Sequence, residues 1–154
     1  MASLNLNFQW CDSLTDEGVN SLAEGLDSLT QLVHLNINLK ECTRITDEGV
    51  NGLAKSLNSL TQLTHLNMSF WSCKQITDGV AVSLAKGLNS LTQLTDLSIS
   101  LDQCEQMTGN GVNTLASEGL KYLTQLTSLT LGGRLCYDDE ELIVFISDGL
   151  KHLI

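Results

Sequence analysis

Residues 63–78 read Leu-Thr-His-Leu-Asn-Met-Ser-Phe-Trp-Ser-Cys-Lys-Gln-Ile-Thr-Asp, and versions of this stretch recur along the whole chain. Its cysteine is one of five, at successive intervals of 31, 31, 31 and 32 residues: Cys11, Cys42, Cys73, Cys104 and Cys136. The leucines that open the apolar stretches keep the same intervals: Leu4, Leu35, Leu66, Leu97 and Leu129. Two unrelated residue types that share one period indicate a supersecondary unit of about 31 residues repeated along the chain.

Each repeat is predicted to contain one strand followed by one helix. Residues 35–39 alternate strictly between apolar and polar, the pattern of a half-buried strand. Equivalent strands are predicted at 4–8, 66–70, 97–101 and 129–133. After each cysteine the period changes, and Val50, Leu53, Ala54 and Leu57 recur at the spacings of an amphipathic helix. The chain is therefore expected to be an α/β protein with parallel strands and external helices.

The starts of the predicted helices share a short polar signature. Thr46 precedes Asp47 and Glu48, which indicates an N-cap followed by acidic residues that complement the helix dipole. Equivalent caps are predicted at Thr15, Thr77 and Thr108. The nearby glycines are expected to allow close packing of helix against sheet: Gly18, Gly49 and Gly111.

These motifs carry a resemblance to a known family. Residues 63–68 match an LxxLxL opening, Cys73 occupies the following Asn/Cys position, and Ile76-Thr77-Asp78 matches the ITD after the cysteine. The chain resembles the leucine-rich repeats, specifically the ribonuclease-inhibitor-like and cysteine-containing subtypes, over essentially all of its length. Its strand is two residues longer than the usual form, LxLxLxxC in place of LxLxxC.

The resemblance implies a leucine-rich-repeat solenoid, a right-handed superhelix with strands on the concave face and helices on the convex face. About five repeats would form one domain over 1–154, with approximate bounds 4–34, 35–65, 66–96, 97–128 and 129–154. The resemblance also implies that the cysteines form a buried ladder whose side chains cap backbone groups of the loops. This interpretation is favoured over metal or redox chemistry, since a free cysteine also packs as a small apolar residue.

Composition restricts the classes of partner. A formal net charge of −10 with eight basic residues argues against nucleic acid and against an anionic membrane surface. No segment resembles a secretory signal or a membrane span. Five cysteines without a CxxC pair do not suggest a disulfide framework, so the expected location is intracellular, in the cytoplasm.

The predicted concave surface is the main candidate binding site, since solenoids use such surfaces for recognition. Strand alternation points a row of amides, hydroxyls and a few titratable groups toward it: Asn5, Asn7, His34, Asn36, Asn38, His65, Asn67, Ser69, Asp96, Ser98, Ser100 and Thr130. This belt is interpreted either as a recognition surface or as the solvated face of an exposed sheet. Trp10 and Trp71 follow two strands and are expected either to form a binding rim or to cover the loop edge of the core.

Candidate chemical sites are few. His34, His65 and Asp96 occupy equivalent positions in successive repeats, and two imidazoles with a carboxylate suit zinc. The next equivalent residue is Ser128, and duplication alone would generate this row, so no metal site and no cofactor are predicted. No nucleophile elbow, glycine-rich phosphate loop or zinc motif is present, so no catalytic residues are predicted.

Both ends of the array suggest contacts. The first predicted strand has no capping segment before it, and an uncovered edge strand favours pairing with another chain. Near the other end, Leu142, Val144 and Phe145 make the last predicted helix apolar on sides that are polar in most other repeats. This helix is interpreted as a terminal cap or as a contact with another chain.

Function is expected to be non-enzymatic. The favoured prediction is a protein–protein interaction module that presents a neutral polar concave surface to a protein partner. The alternative is a self-assembling structural unit, a homo-oligomer or filament joined through the terminal repeats.

Overall fold

The computed structural model describes residues 2–132, which form a five-stranded parallel sheet whose strands alternate along the chain with helices. The strands are β1 Ala2–Asn7, β2 Leu32–Asn38, β3 His65–Ser69, β4 Asp96–Ser100 and β5 Ser128–Gly132. The helices are α1 Asp16–Leu26, α2 Asp47–Ser56, α3 Gly79–Leu88 and α4 Gly109–Gly119, and a short 3-10 helix, Leu57–Ser59, follows α2. The predicted α/β alternation with parallel strands is confirmed.

The strands lie in the sheet in chain order, and equivalent residues of successive repeats stand side by side. Asn36 pairs with Asn67, for example, and Asn67 pairs with Ser98. Each strand begins one to three residues before the predicted position, and β1 to β4 each end one residue before it. The predicted last residue, such as Leu39 or Phe70, is buried in the core where the chain turns away from the sheet.

Burial separates the two faces of the sheet. Leu35 and Ile37 of β2 are buried together with Val50 and Leu53 of α2, and the same arrangement recurs along one continuous apolar core. The helices therefore cover one face of the sheet. The opposite face carries the polar residues of each strand, and it is called the polar sheet face below.

A left-handed residue follows every strand from β1 to β4. Trp10, Glu41, Ser72 and Gln103 have φ values of 62°, 58°, 60° and 61°. This conformation costs a non-glycine residue about 1–2 kcal/mol, and inter-repeat hydrogen bonds offset part of the cost. The N–H of Trp10 donates to the carbonyl of Lys40 at 2.9 Å, and the N–H of Glu41 donates to that of Trp71 at 2.8 Å.

The cysteine ladder has the form that the resemblance implied. The Sγ of Cys42, Cys73 and Cys104 donates to the carbonyls of Phe8, Leu39 and Phe70 respectively, each at 3.1 Å. All three side chains are buried. Each thiol therefore satisfies a backbone acceptor of the preceding repeat, and Cys136 lies outside the described residues.

Burial raises the pKa of the Cys73 and Cys104 thiols to about 12 and also raises that of Cys42. We therefore expect the native protein at pH 8 to react with iodoacetamide at partly exposed Cys11 well before these three sites. Peptide mapping by mass spectrometry measures each site separately. Denaturation in urea should remove the difference; comparable labelling of Cys11 and Cys73 without denaturant would contradict the buried ladder.

A second ladder, formed by carboxylates, links the helix starts. The Asp16 carboxylate accepts hydrogen bonds from the Thr46 N–H at 2.9 Å, the Thr46 hydroxyl at 2.7 Å and the Gly49 N–H at 3.1 Å. Asp47 accepts from the N–H and hydroxyl of Thr77 at 2.8 and 2.5 Å. Asp78 accepts in the same way from Thr108. The acidic residues predicted to complement helix dipoles thus also connect each helix start to the next repeat.

Two predictions about helix starts need correction. The glycines were expected to allow helix–sheet packing, but a Cβ on Gly49 or Gly111 would collide with the carboxylate of Asp16 or Asp78 instead. Glycine is present there because the neighbouring carboxylate needs the space. Thr46 and Thr108 accept the expected capping hydrogen bonds, whereas Thr15 makes none. α3 begins one residue later, with Asp78 at its N-cap, but Thr77 Oγ1 still accepts the equivalent hydrogen bond, from the N–H of Gly79 at 3.0 Å.

No helix within residues 2–132 is both long enough and apolar enough to cross a membrane.

Candidate functional site on the polar face of the sheet

The sheet brings the predicted surface residues together in three rows that run across the strands. The first row is Ser3, His34, His65, Asp96 and Ser128; the second is Asn5, Asn36, Asn67, Ser98 and Thr130; the third is Asn7, Asn38, Ser69, Ser100 and Gly132. All twelve residues of the predicted surface are therefore on one face. Because equivalent residues align in a parallel in-register sheet, the sequence period was sufficient to place them.

A shallow groove of about 390 Å³ lies over the first two rows. Its polar lining comes from all five strands: Ser3, Asn5, His34, Asn36, His65, Asn67, Asp96, Ser98, Ser128 and Thr130. Leu4, Leu35, Leu66 and Leu97 contribute to its floor. The groove is broad and open, which suits an extended or side-chain ligand better than an enclosed small molecule.

The first row contains a contiguous group of titratable side chains. The rings of His34 and His65 are stacked, with centroids 4.2 Å apart and planes 14° from parallel. His65 Nε2 lies 3.2 Å from Asp96 Oδ2, and its Nδ1 is hydrogen-bonded to the Thr64 hydroxyl at 2.8 Å. The Thr95 hydroxyl donates to the same Asp96 oxygen at 2.8 Å. The predicted proximity of these three residues is confirmed.

This group does not have the arrangement of a metal centre. Within residues 2–132 no cluster of three or more histidine, cysteine or acidic side chains is placed to hold a metal ion. The two imidazoles lie face to face, so their nitrogen lone pairs do not converge on one point. The group is better suited to contacts with a ligand's charged or planar parts.

The second row has unused hydrogen-bonding capacity at its centre. Asn36 donates to Asn5 through its side-chain amide at 3.0 Å, so these two residues satisfy one another. Asn67 is in register with Asn36, but within the described range its side chain, like those of Ser98 and Thr130, makes no hydrogen bond. These groups are exposed or half-buried, and they are available to a partner.

The third row stabilises turns. Asn38 accepts from the N–H of Lys40 at 3.1 Å and donates to Gln9 at 3.4 Å. Asn7 accepts from the N–H of Gln9 at 3.1 Å, and Ser100 donates to Asp102 at 2.9 Å. Alternation along the strands could not separate this row from the other two, because its partners lie in the following loops.

The two tryptophans lie beyond the strand ends and do not line the groove. Trp10 is 64% exposed, and its indole N–H donates to Glu41 at 2.7 Å. Trp71 is half-buried, with the Lys40 ammonium 4.1 Å from the ring centroid. Trp10 is therefore available to a partner at the edge of the sheet, whereas a cation already covers one face of Trp71.

Other predicted contact residues and surface hollows contribute less. Leu142, Val144 and Phe145 lie outside the described residues. Hollows of about 530 and 550 Å³ lie between α1 and α2, lined largely by acidic and small polar residues such as Glu17, Glu24 and Glu48. They are wide gaps between neighbouring helices and bring together no distinctive group of side chains.

No protein-family model matches the chain, and no curated protein matches it significantly.

Proposed function

We propose that the chain is a leucine-rich-repeat solenoid that acts without catalysis as a protein-interaction module. The polar sheet face would be its concave surface and would contact a protein partner. The observation that carries this proposal is the groove, to which all five strands contribute and in which the side chains of Asn67, Ser98 and Thr130 make no hydrogen bond within residues 2–132.

The repeat architecture supports the fold assignment. The same two hydrogen bonds occur at each interface between successive repeats, from the first repeat to the fourth. A cysteine thiol donates to a carbonyl of the preceding repeat, and an aspartate carboxylate accepts from a threonine of the next repeat. Contacts that are restricted to neighbours are typical of a solenoid, whose extended surfaces serve recognition. The groove carries little charge, so we expect the partner to be recognised mainly through hydrogen bonds.

Photo-crosslinking can test the binding face. A benzophenone amino acid introduced at Ser98, in the groove, should capture the partner in cell extract, whereas one at exposed Ser21 on α1 should not. Capture at Ser98 should be lost when Asn36 and Asn67 are both replaced by lysine. The matched control, Ser21→Lys with Asn113→Lys, adds the same charge on the helix side and should retain capture. Equal loss with both double variants would contradict the proposal.

Self-assembly is the second candidate, and one observation favours it. The outer edge of β1 has no strand neighbour within residues 2–132, and Leu4, Leu6 and Phe8 are only partly buried there. Exposed strand edges favour pairing between chains. In the crosslinking experiment, a second copy of this chain as the main product, with a mass that rises with concentration, would support this alternative.

A further inference from the structure

We propose that the groove of the polar sheet face binds the guanidinium group of an arginine on a protein partner, with Asp96 as the paired carboxylate. This inference rests on the proposed interaction function and specifies the chemistry of the partner.

Charge distribution favours a cation at this position. Among the described residues that line the groove, Asp96 is the single carboxylate, and none is a lysine or an arginine. The whole chain carries a formal charge of −10, so its long-range field attracts cationic groups. A positively charged side chain that enters the groove meets one specific counter-charge among neutral amides and hydroxyls.

The Asp96 carboxylate is both oriented and available. Its Oδ2 accepts from Thr95 and faces His65, which orients the group. Its Oδ1 makes no hydrogen bond to any residue in 2–132, and the side chain is 42% exposed. A guanidinium presents several N–H donors in a fixed plane, so it can pair with this oxygen and extend to a second acceptor. The side chains of Asn67, Ser98 and Ser128, which make no hydrogen bond within residues 2–132, lie in the same groove.

The histidine pair explains why a planar cation is favoured over an ammonium. The His65 side chain remains 48% exposed beside Asp96, so an aromatic ring borders the carboxylate. Guanidinium groups stack on aromatic rings and are weakly hydrated, whereas a lysine ammonium is a strongly hydrated point charge. The combination of ring, carboxylate and neutral acceptors matches the arginine side chain.

An NMR titration of the intact protein tests this inference with three blocked peptides: Gly-Ser-Arg-Ser-Gly and its citrulline and lysine analogues. Arginine should shift the His65 ring and the amides of Thr95 and Asp96 at concentrations up to about 20 mM, as expected for weak single-side-chain binding. Citrulline keeps the shape without the charge and should bind at least about tenfold more weakly. Equal shifts from citrulline or lysine would overturn the proposal, as would no shift from arginine.

Two variants separate Asp96 from general electrostatics. Asp96→Asn should lower the affinity for the arginine peptide about tenfold or more, since it removes the charge and nearly preserves the shape. Glu24→Gln removes one negative charge from the helix side and should leave the affinity within about twofold, because exposed distant charges are screened. Similar effects of the two substitutions would overturn the assignment.

The outcomes also distinguish this inference from the function on which it rests. Failure of arginine binding, with partner crosslinking at Ser98 retained, removes only the arginine assignment. Arginine binding without any face-specific crosslinking instead contradicts the interaction function.

Discussion

Replacing Asp47 with alanine should lower the free energy of unfolding by about 2–4 kcal/mol, because two hydrogen bonds to a charged acceptor are lost together. The carboxylate accepts from the N–H of Thr77 at 2.8 Å and from its hydroxyl at 2.5 Å. These bonds join the start of α2 to the start of α3, in the middle of the described array. Urea unfolding followed by circular dichroism measures the change, and a smaller m-value would indicate that the two halves unfold separately.

Glu48→Ala provides the matched control. Glu48 has the same charge, lies in the same first turn and is exposed, so both substitutions remove a similar interaction with the helix dipole. Its side chain makes no hydrogen bond to the next repeat within the described range. The control should lose about 1 kcal/mol or less. If Glu48→Ala is as destabilising as Asp47→Ala, the inter-repeat connection does not contribute as proposed.

Replacing Gly87 with alanine should destabilise the protein by about 1–3 kcal/mol, as expected when a backbone must shift in a packed core. A Cβ at this position would collide with the carbonyl oxygen of Ala54, and it would lie 3.1 Å from the Ala54 carbonyl carbon. The colliding atoms belong to the backbone of α2, so no side-chain rotation relieves the contact. Thermal and urea unfolding of the variant measure the loss.

Gly25→Ala is the corresponding substitution in α1, at the equivalent position of the first repeat, and its effect should have the opposite sign. No atom lies within 4 Å of a Cβ built there. Alanine should therefore stabilise the helix by about 0.5–1 kcal/mol through its higher propensity. The second repeat has buried Ser56 at this position, where α2 ends and the 3-10 helix begins. Destabilisation of similar size at positions 25 and 87 would show that helix packing is not the cause.

The sequence was sufficient to predict which residues at equivalent positions of successive repeats lie side by side. A period of 31 residues placed His34 beside His65 and Asn36 beside Asn67, because parallel in-register strands align equivalent residues. The alternation of apolar and polar residues then assigned them to the exposed face. The strands and the polar rows followed from these two patterns alone, whereas the buried cysteine ladder was implied by the resemblance to leucine-rich repeats.

Contacts between different positions of neighbouring repeats were not predictable in this way. Asp47 binds Thr77, 30 residues later, and glycine at position 79 leaves room for that carboxylate. The signal was present in the recurring Thr-Asp pairs, but helix capping explained those residues equally well. Periodicity also gave no indication of the left-handed residues, since Trp10, Glu41, Ser72 and Gln103 have unrelated side chains. Backbone hydrogen bonds from Trp10, Glu41 and Ser72 to the loop of the next repeat stabilise that conformation.

The carboxylate ladder makes the array of repeats directional, and the ladder is interrupted at the fourth repeat. In the first three repeats an aspartate accepts hydrogen bonds from the threonine of the next repeat. Repeats that carry both residues can therefore follow one another in any order, and whole 31-residue segments can be duplicated in frame. At position 109 the sequence has glycine where Asp16, Asp47 and Asp78 stand in the earlier repeats. A further copy of the standard repeat inserted after the fourth would therefore lack its acceptor. Inserting a repeat after the fourth one therefore calls for Gly109→Asp, whereas insertion after the first, second or third repeat keeps the aspartate acceptor without any change.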